Sequence, residues 1–424
     1  MTEKRYDAVV FGGGSAGLAA AARIASEGFS VALLEREQEL GGVLNQCIHS
    51  GFGLHVFRED LTGPEYAERF IERVRGSSGL DVYLDTTAQE VTAGGGGSGQ
   101  EPIVVYGYSR RYGILRLAAR AAVLAMGCRE RNRGNIGIPG SRPAGVFTAG
   151  LAQRLINIDG YLPGKRAVIV GSGDIGLIMA RRLTWSGAQV LGVVEIQSYP
   201  SGLTRNIVQC LNDFDIPLHL SHVVSRIIGR DRVEAVEVSP VREGIAQIQE
   251  GFRLDCDTVL LSVGLVPDNE LSKRFGVALN PETGGPLVDA GLQTTVPGVF
   301  ACGNVLHVHD LVDYVTEESE RCAAFAAEYL RGRYELRQYR LQPGANVKYA
   351  VPNRYFPERE NRFYLRPLIV ANQARLTVRL DGESVLERRL AHVQPSEMLS
   401  FTLSPKELAG VSPSRENTLE VSIT

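Results

Sequence analysis

The sequence predicts an α/β protein in which one strand, loop, helix and strand unit occurs twice, followed by a small antiparallel β domain. Three observations carry this. Apolar runs enter the glycine-rich turns Gly12-Gly13-Gly14-Ser15-Ala16-Gly17 and Gly171-Ser172-Gly173-Asp174-Ile175-Gly176, 159 residues apart. The turns share their downstream spacing: Gly28 and Gly187 each follow the last glycine by 11 residues, and Ala21 and Ala180 stand four positions after Gly17 and Gly176. From Gln338 onward the pattern becomes an alternation of apolar and polar residues, as in Arg375-Leu376-Thr377-Val378-Arg379-Leu380 before Asp381-Gly382, a strong hairpin signal.

In the opening unit, residues 6–49, the apolar run Ala8 to Phe11 leads into the first turn, an Ala-rich helix follows, and a second apolar run ends on Glu35. Each glycine has its own task. Gly12 makes the tight turn, Gly14 lets the backbone approach a pyrophosphate, and Gly17 lets the helix pack closely on the strand. The helix N-terminus, with Ser15 and Ala16, offers free N–H groups and a positive dipole end to phosphates. Glu35 lies 23 residues after Gly12, where an acidic side chain accepts from a ribose hydroxyl. The second unit repeats this design with Gly171, Gly173, Asp174, Ile175 and Glu195. Both are Rossmann-like dinucleotide-binding units, and an enzyme using one dinucleotide would need only one.

The 424 residues are enough for two to four domains. With 45 basic and 48 acidic residues the net charge is -3, so no electrostatic field argues for nucleic acid or an anionic membrane. No apolar run reaches the roughly 18 residues needed to span a bilayer. The first strand begins within ten residues of Met1, so no signal peptide and a cytoplasmic location are expected. The six cysteines are scattered, with no CxxC and no Cys/His cluster, so no metal site is read from the sequence and reduced thiols are expected.

Between the glycine turns, residues 51–61 read as a loop, and Thr62-Gly63-Pro64-Glu65 starts a helix towards Arg75. Residues 81–91 read as extended and residues 93–100 as a flexible glycine-rich hairpin tip. Short strands of a meander are expected at residues 103–108, 113–117 and 121–125, closed by the corner Ala125-Met126-Gly127. Residues 134–145, rich in Gly and Pro, read as a crossing between domains. The second unit continues through strands at 217–220, 223–228, 233–238 and 252–254 and ends on the apolar run 258–263 into Gly264. The segment Val299-Phe300-Ala301-Cys302-Gly303-Asn304 returns the chain to the first domain, and a helix over 316–330 closes it. The β domain carries no motif. It reads equally as a docking or oligomerisation module and as a lid over an apolar face.

This combination resembles the two-dinucleotide-binding flavoprotein superfamily, with a glutathione-reductase-like fold in which an FAD domain is interrupted by an NAD(P) domain. The resemblance covers about residues 6–330. It implies an FAD-binding domain in two parts, residues 1–160 and 267–335, an NAD-binding domain at 161–266, and the β domain at 340–424. By the same resemblance the first glycine turn binds FAD, with Glu35, Arg36, Gly42, Val43, Asn45, Gly127, Gly303 and Asn304 completing the site. Gly41-Gly42 after Glu35 is the family's glycine pair. Asn304 stands where the family usually has Asp, a change from a charged to a neutral acceptor worth about 1 kcal/mol of FAD affinity. At the second site Glu195 would accept from the 2′-hydroxyl of NAD, whereas a 2′-phosphate needs a base. None occurs between Ile196 and Arg205, so NADH is expected over NADPH.

FAD and NAD on one chain imply hydride transfer between them and electron exchange with a second acceptor or donor. The resemblance places Asn45, Gln46, Cys47 and His49 beside the flavin. The superfamily's disulfide reductases have a CxxxxC pair there; this chain has Cys47 alone, so a dithiol mechanism is not encoded. Cys47 is a candidate redox thiol or, alternatively, a small side chain packed against the flavin. His49, His55, His307 and His309 are candidate proton donors. Runs such as Asn45-Gln46-Cys47-Ile48-His49 and Leu61-Thr62-Gly63-Pro64-Glu65-Tyr66 resemble bacterial NAD/FAD oxidoreductases that accompany anaerobic glycerol-3-phosphate dehydrogenase-like proteins. More distantly they resemble FAD subunits of opine oxidases and hydrogen cyanide synthase. This implies two alternatives. The chain is an NADH-dependent enzyme with its own acceptor, or an electron-transfer subunit of a multi-subunit dehydrogenase, glycerol-3-phosphate- or opine-type, whose partner is another flavoprotein or electron carrier. No nucleic-acid partner is expected, and the oligomeric state is open.

Overall fold

The computed structural model describes residues 2–92, 102–334, 336–412 and 416–424. The glycine-rich tip expected at residues 93–100 lies outside the described residues. The chain divides into two compact units, one formed by Met1–Cys128 with Pro267–Thr424 and the other by Arg129–Val266.

In the first unit the strand Thr2–Phe11 sits at the centre of a seven-stranded sheet, parallel to Val31–Leu34 on one side and Gly113–Leu124 on the other. Its last four residues, Ala8 to Phe11, are buried on both faces, which is why they read as a continuous apolar run. The helix Ser15–Ser26 makes the crossover to Val31–Leu34. Its alanines let it pack against both the sheet and the helix Val312–Leu330. The helix Gly63–Arg75 begins where expected, held by a capping box between Thr62 and Glu65, and turns Tyr66, Phe70 and Val74 inward.

The meander differs from expectation in one respect. The two short strands expected at 113–117 and 121–125 are a single strand, Gly113–Leu124, because it pairs along its length with the first strand, from Thr2↔Leu115 to Phe11↔Leu124. What changes midway is its other edge, which pairs antiparallel with Ile103–Ser109 up to Ala119 and parallel with Val299–Ala301 from Ala122. The closing helix starts at Val312, four residues earlier than expected, which places Asp313 in its first turn.

The C-terminal region forms a five-stranded sheet (Arg354–Tyr355, Tyr339–Pro343, Leu419–Ile423, Ala371–Leu380, Glu383–Val393) and a three-stranded one (Val347–Val351, Asn361–Pro367, Leu399–Leu403). The hairpin turn at Asp381-Gly382 has both residues at positive φ, 48° and 91°, and closes the pair Leu380↔Glu383. One pairing, Tyr339–Pro343 with Leu419–Ile423, is parallel, and the other strand pairings among the described residues of the region are antiparallel. It has its own core around Phe363, Leu376, Val378, Phe401 and Ile423, yet Tyr349 and Val351 join the core of the Rossmann body. Arg366 reaches Asp310 of that body with two hydrogen bonds, 2.8 and 3.2 Å. That packing covers part of an apolar face of the body.

The second unit has a five-stranded parallel sheet ordered Val146–Thr148, Thr258–Leu261, Arg166–Val170, Gln189–Val194 and Leu218–His219. The helix Asp174–Trp185 provides its first crossover. An antiparallel set, His222–Gly229, Val233–Arg242 and Phe252–Asp255, is inserted before the return strand. The crossing segment carries a short helix, Arg133–Ile136, capped by Asn132. Among the described residues, no helix is long and apolar enough to cross a membrane.

Candidate functional site

The two glycine turns are built alike. Gly12 has φ +101°, and a Cβ there would meet Ala125 O at 2.5 Å; Gly171 has φ +90°, and its Cβ would meet Ser262 O at 2.1 Å. A Cβ on Gly17 would lie 1.7 Å from Gly12 O, and one on Gly176 would lie 2.7 Å from the Ser262 side chain. These four glycines are required by the protein's own packing. Gly14 is different: its φ is -80°, and the nearest atom to a Cβ there is Gly42 Cα at 4.0 Å. Neither backbone conformation nor protein packing demands glycine at 14, so the backbone there is open to close approach from outside the protein. Gly173 is intermediate, with Ser262 Oγ at 3.3 Å.

Both Rossmann helices lack a side-chain cap, at Gly14 and at Gly173. The helix Gly63–Arg75 has a full capping box. Ala149–Asn157 and Val312–Leu330 also lack a side-chain cap, so it is the glycine turn in front of the uncapped end that sets the two Rossmann helices apart. Uncapped N–H groups at the end of a strand are what a pyrophosphate would fill. Ser15 and Ala16 begin the first of these helices, Asp174 and Ile175 the second. Asp174 Oδ1 is taken up inside the protein, accepting from Leu203 N–H and Asn206 Nδ2 at 2.9 and 2.6 Å, and so anchors the segment after Glu195.

The two acidic residues are also matched. Glu35, 7% exposed, accepts from Gly13 N–H at 2.6 Å and Glu37 N–H at 2.8 Å. Glu195, 4% exposed, accepts from Ser172 N–H at 2.9 Å and Gln197 N–H at 3.0 Å. Its Oε2 also takes the hydroxyls of Ser172 and Ser201, 2.6 and 3.0 Å away. Each carboxylate thus ties its strand end to the residue after the first glycine. Arg36 and Val43 are exposed beside the first turn. Gly42 lies against Gly14, and Asn45 Nδ2 donates to Leu40 O at 2.9 Å, shaping the 3-10 turn Gly42–Gln46. The corner glycines Gly127 and Gly264 have φ of +72° and +97° with no backbone or side-chain atom within 3.8 Å of a Cβ.

Gly303 packs against the start of the first helix: a Cβ on it would lie 2.7 Å from Ala16 Cβ. Asn304 Oδ1 accepts from His309 N–H at 3.0 Å and its Nδ2 donates to Cys128 Sγ at 3.6 Å, so this side chain is engaged within the protein. Two acids that the sequence reading passed over hold the surrounding loops. Asp313, 3% exposed, accepts from the N–H groups of Gly53, His55 and Val56. Glu318, fully buried, accepts from Gly303 N–H at 2.7 Å. Their only sequence signal was acidic residues on the buried face of a helix, which the surface acids Glu317 and Glu320 beside them obscure.

The candidate catalytic residues fare unequally. Burial pushes the Cys47 thiol up to about 12, and the thiol donates to Val43 O at 3.3 Å. That is the opposite of an activated thiolate. Cys210, Cys256, Cys302 and Cys322 are buried free thiols. His49 Nδ1 lies 2.9 Å from Ser50 O, and its ring lies over Phe52 with centroids 5.0 Å apart. His55 stacks on Tyr314. His307 and His309 have no side-chain exposure, so neither reaches a substrate from its position. Burial and the neighbouring His309 push His307 down to about 4, which makes it neutral at ordinary pH.

The family model described as pyridine nucleotide-disulphide oxidoreductase matches residues 6–326. Among curated proteins, the chain is similar to NAD(P)H sulfur oxidoreductase (CoA-dependent) of Pyrococcus abyssi, 28% identical over 319 residues, covering 72% of this chain and 63% of that protein. It is 26% identical to hydrogen cyanide synthase subunit HcnB of Pseudomonas protegens, covering 70% of this chain and 65% of that one. It is also 26% identical to an opine oxidase subunit of Agrobacterium tumefaciens, covering 76% and 65%. The chain therefore spans slightly less than two thirds of the length of these relatives. Among solved structures, thioredoxin reductases of T. acidophilum (TM-score 0.62, 23% identical, 77% of this chain and 98% of that one) and Lactococcus lactis (TM-score 0.63, 20% identical, 77% and 99%) share the fold.

Proposed function

The chain belongs to the pyridine nucleotide-disulphide oxidoreductase family, and on that premise we propose that it transfers hydride between NAD(H) and a bound FAD and exchanges electrons with a second acceptor or donor. Proteins of this family bind FAD and NAD(P)H. The observation that carries the proposal is the duplicated cradle: two uncapped helix N-termini, each behind a packed glycine turn and beside a buried glutamate.

In this reading Gly12, Gly14, Ser15, Ala16 and Gly17 receive the FAD pyrophosphate, and Glu35 receives the adenosine ribose. Arg36, Gly42, Val43, Asn45, Gly127, Gly303 and Asn304 border the rest of that cofactor. Gly171, Gly173, Asp174, Ile175 and Gly264 border the NAD site, with Glu195 selecting the 2′-hydroxyl. Asn304 keeps one acceptor lone pair beyond the His309 N–H bond, enough for a hydroxyl of the cofactor. Cys47 lies in the segment assigned to the flavin as a protonated thiol, which suits packing better than nucleophilic attack. His49 remains the side chain in that segment able to hold or release a proton.

The likeness to two proteins named as subunits favours a second reading. In it the chain is the electron-transfer subunit of a larger dehydrogenase, and its acceptor or donor is a partner protein. The test is the visible spectrum of the purified protein during anaerobic NADH titration, followed by mixing with small acceptors. Bleaching of a bound flavin supports the oxidoreductase assignment, and its absence would overturn it. Turnover of a small acceptor by the chain alone selects the first reading. Reduction without turnover, relieved by a purified partner dehydrogenase, selects the second.

A further inference from the structure

Behind the Gly303-Asn304 turn, His307, His309 and Glu318 bring three ligand-type atoms within 4.8 Å of one another. All three side chains have zero exposure. His307 Nε2 is 2.9 Å from Glu318 Oε2 and His309 Nε2 is 3.2 Å from Glu318 Oε1, and the two imidazole centroids are 4.1 Å apart. The first contact has hydrogen-bond geometry. The second does not: His309 Nε2 is buried, close to a carboxylate oxygen, and makes no hydrogen bond. A ring nitrogen at that distance with its proton or lone pair misdirected is costly in a dry interior.

We propose that His307, His309 and Glu318 form a buried binding site for a divalent transition-metal ion, with zinc as the occupant. Donors held about 2.0–2.1 Å from one ion at a tetrahedral angle lie roughly 3.3 Å apart. The 3.2 Å between His309 Nε2 and Glu318 Oε1 matches such an edge, while His307 stands 2.9 Å from the other carboxylate oxygen, close enough to turn to the same ion. In such a shell His309 Nε2 and Glu318 Oε1 aim at the ion and not at each other, which accounts for the missing hydrogen bond at His309. Two imidazoles and one carboxylate are a recognised zinc donor set. Tyr364 covers the cluster from the C-terminal region, its ring centroid 5.5 Å from that of His307 and 5.4 Å from that of His309. Its hydroxyl is likewise buried without a partner.

Spacing hid this set from the sequence: His307-Val308-His309 sits in a loop and Glu318 in the second turn of the Val312–Leu330 helix. The site would clamp that loop to the helix, and through the Glu318 to Gly303 N–H bond it would hold the turn assigned to the cofactor. The competing arrangement holds no ion at all, with Glu318 simply hydrogen-bonded to His307.

The test uses the full-length, FAD-loaded protein. Because the side chains are sealed, the ion enters during folding, so cells are grown with zinc or with cobalt. The proposal expects about one zinc per chain after desalting and brief chelator treatment, falling about tenfold in His309→Ala and Glu318→Gln, and in the cobalt form absorption at about 550–650 nm, beyond the flavin bands. Metal content needs no activity, and comparing it with flavin content separates loss of metal from loss of fold. Wild-type protein carrying less than about a tenth of an equivalent of any divalent metal, after growth with zinc and after refolding with zinc, would overturn the proposal. So would equal metal in wild type and in variants that keep their flavin.

Discussion

The proposed preference for NADH over NADPH rests on one side chain. Glu195 is 4% exposed and tied down by four hydrogen bonds, so it cannot swing away from an arriving phosphate. A unit charge pair at about 4 Å in a site of effective dielectric near 20 is worth about 4 kcal/mol. Allowing for screening at a partly open site leaves about 3 kcal/mol, roughly a hundredfold difference in dissociation constant. The assay is anaerobic stopped-flow reduction of the flavin over a range of NADH and NADPH concentrations. Glu195→Gln should shrink the preference to about tenfold or less, because the charge is gone while an acceptor oxygen remains. That oxygen must face Ser172 N–H and the two hydroxyls, which leaves the amide NH2 towards Gln197 N–H. The variant should therefore also lose about 1–2 kcal/mol of stability. Wild-type protein reduced equally well by NADPH would refute the reasoning.

Three further outcomes follow from the geometry. Arg366→Ala should destabilise the protein by about 3 kcal/mol in urea unfolding, since it strands the partly buried Asp310 carboxylate; the Arg366 and Asp310 side chains are only 12% and 20% exposed. A loss below about 0.5 kcal/mol would show that the pair is merely a surface contact. Cys47→Ala should leave NADH-driven flavin reduction within about threefold of wild type, because a thiol pushed up to about 12 supplies no thiolate near neutral pH. A loss of a hundredfold or more would restore a redox role. Asp289 is raised to about 6, chiefly by burial, against 3.8 for the ordinary carboxyl. The native state therefore binds its proton more tightly than the unfolded state, and stability falls as pH rises from about 4 through 6, by at most about 3 kcal/mol. Asp289→Asn keeps an oxygen for the Tyr334 hydroxyl and the Gly291 and Gln293 N–H groups, so its melting temperature should fall less over that range. Parallel profiles for the two proteins would remove Asp289 as the cause.

Residues whose role is set by near neighbours were legible in the sequence. Gly12, Gly17, Gly171 and Gly176 are dictated by turn geometry and helix-to-strand contact within a few residues, and Asp381-Gly382 by a two-residue hairpin. Glu35 and Glu195 could be found because a strand, a helix and a strand of regular length place the acid at a nearly constant distance from the first glycine. Thr62 to Glu65 could be read as a helix start because a capping box closes on itself.

Other features depend on elements far apart in the chain. Residues 113–124 are one strand only because Thr2–Phe11 runs beside all of it. The protonated state of Cys47 follows from desolvation by surrounding segments, not from its own motif. Asp313 and Glu318 looked like ordinary helix acids until the fold turned them inward, onto the Gly53–Val56 backbone and onto Gly303. The meeting of His307, His309 and Glu318 under Tyr364 joins a loop, a helix and the C-terminal sheet. Local spacing encodes short-range hydrogen bonds and steric limits; which buried polar atoms face one another across the core is decided when the layers pack.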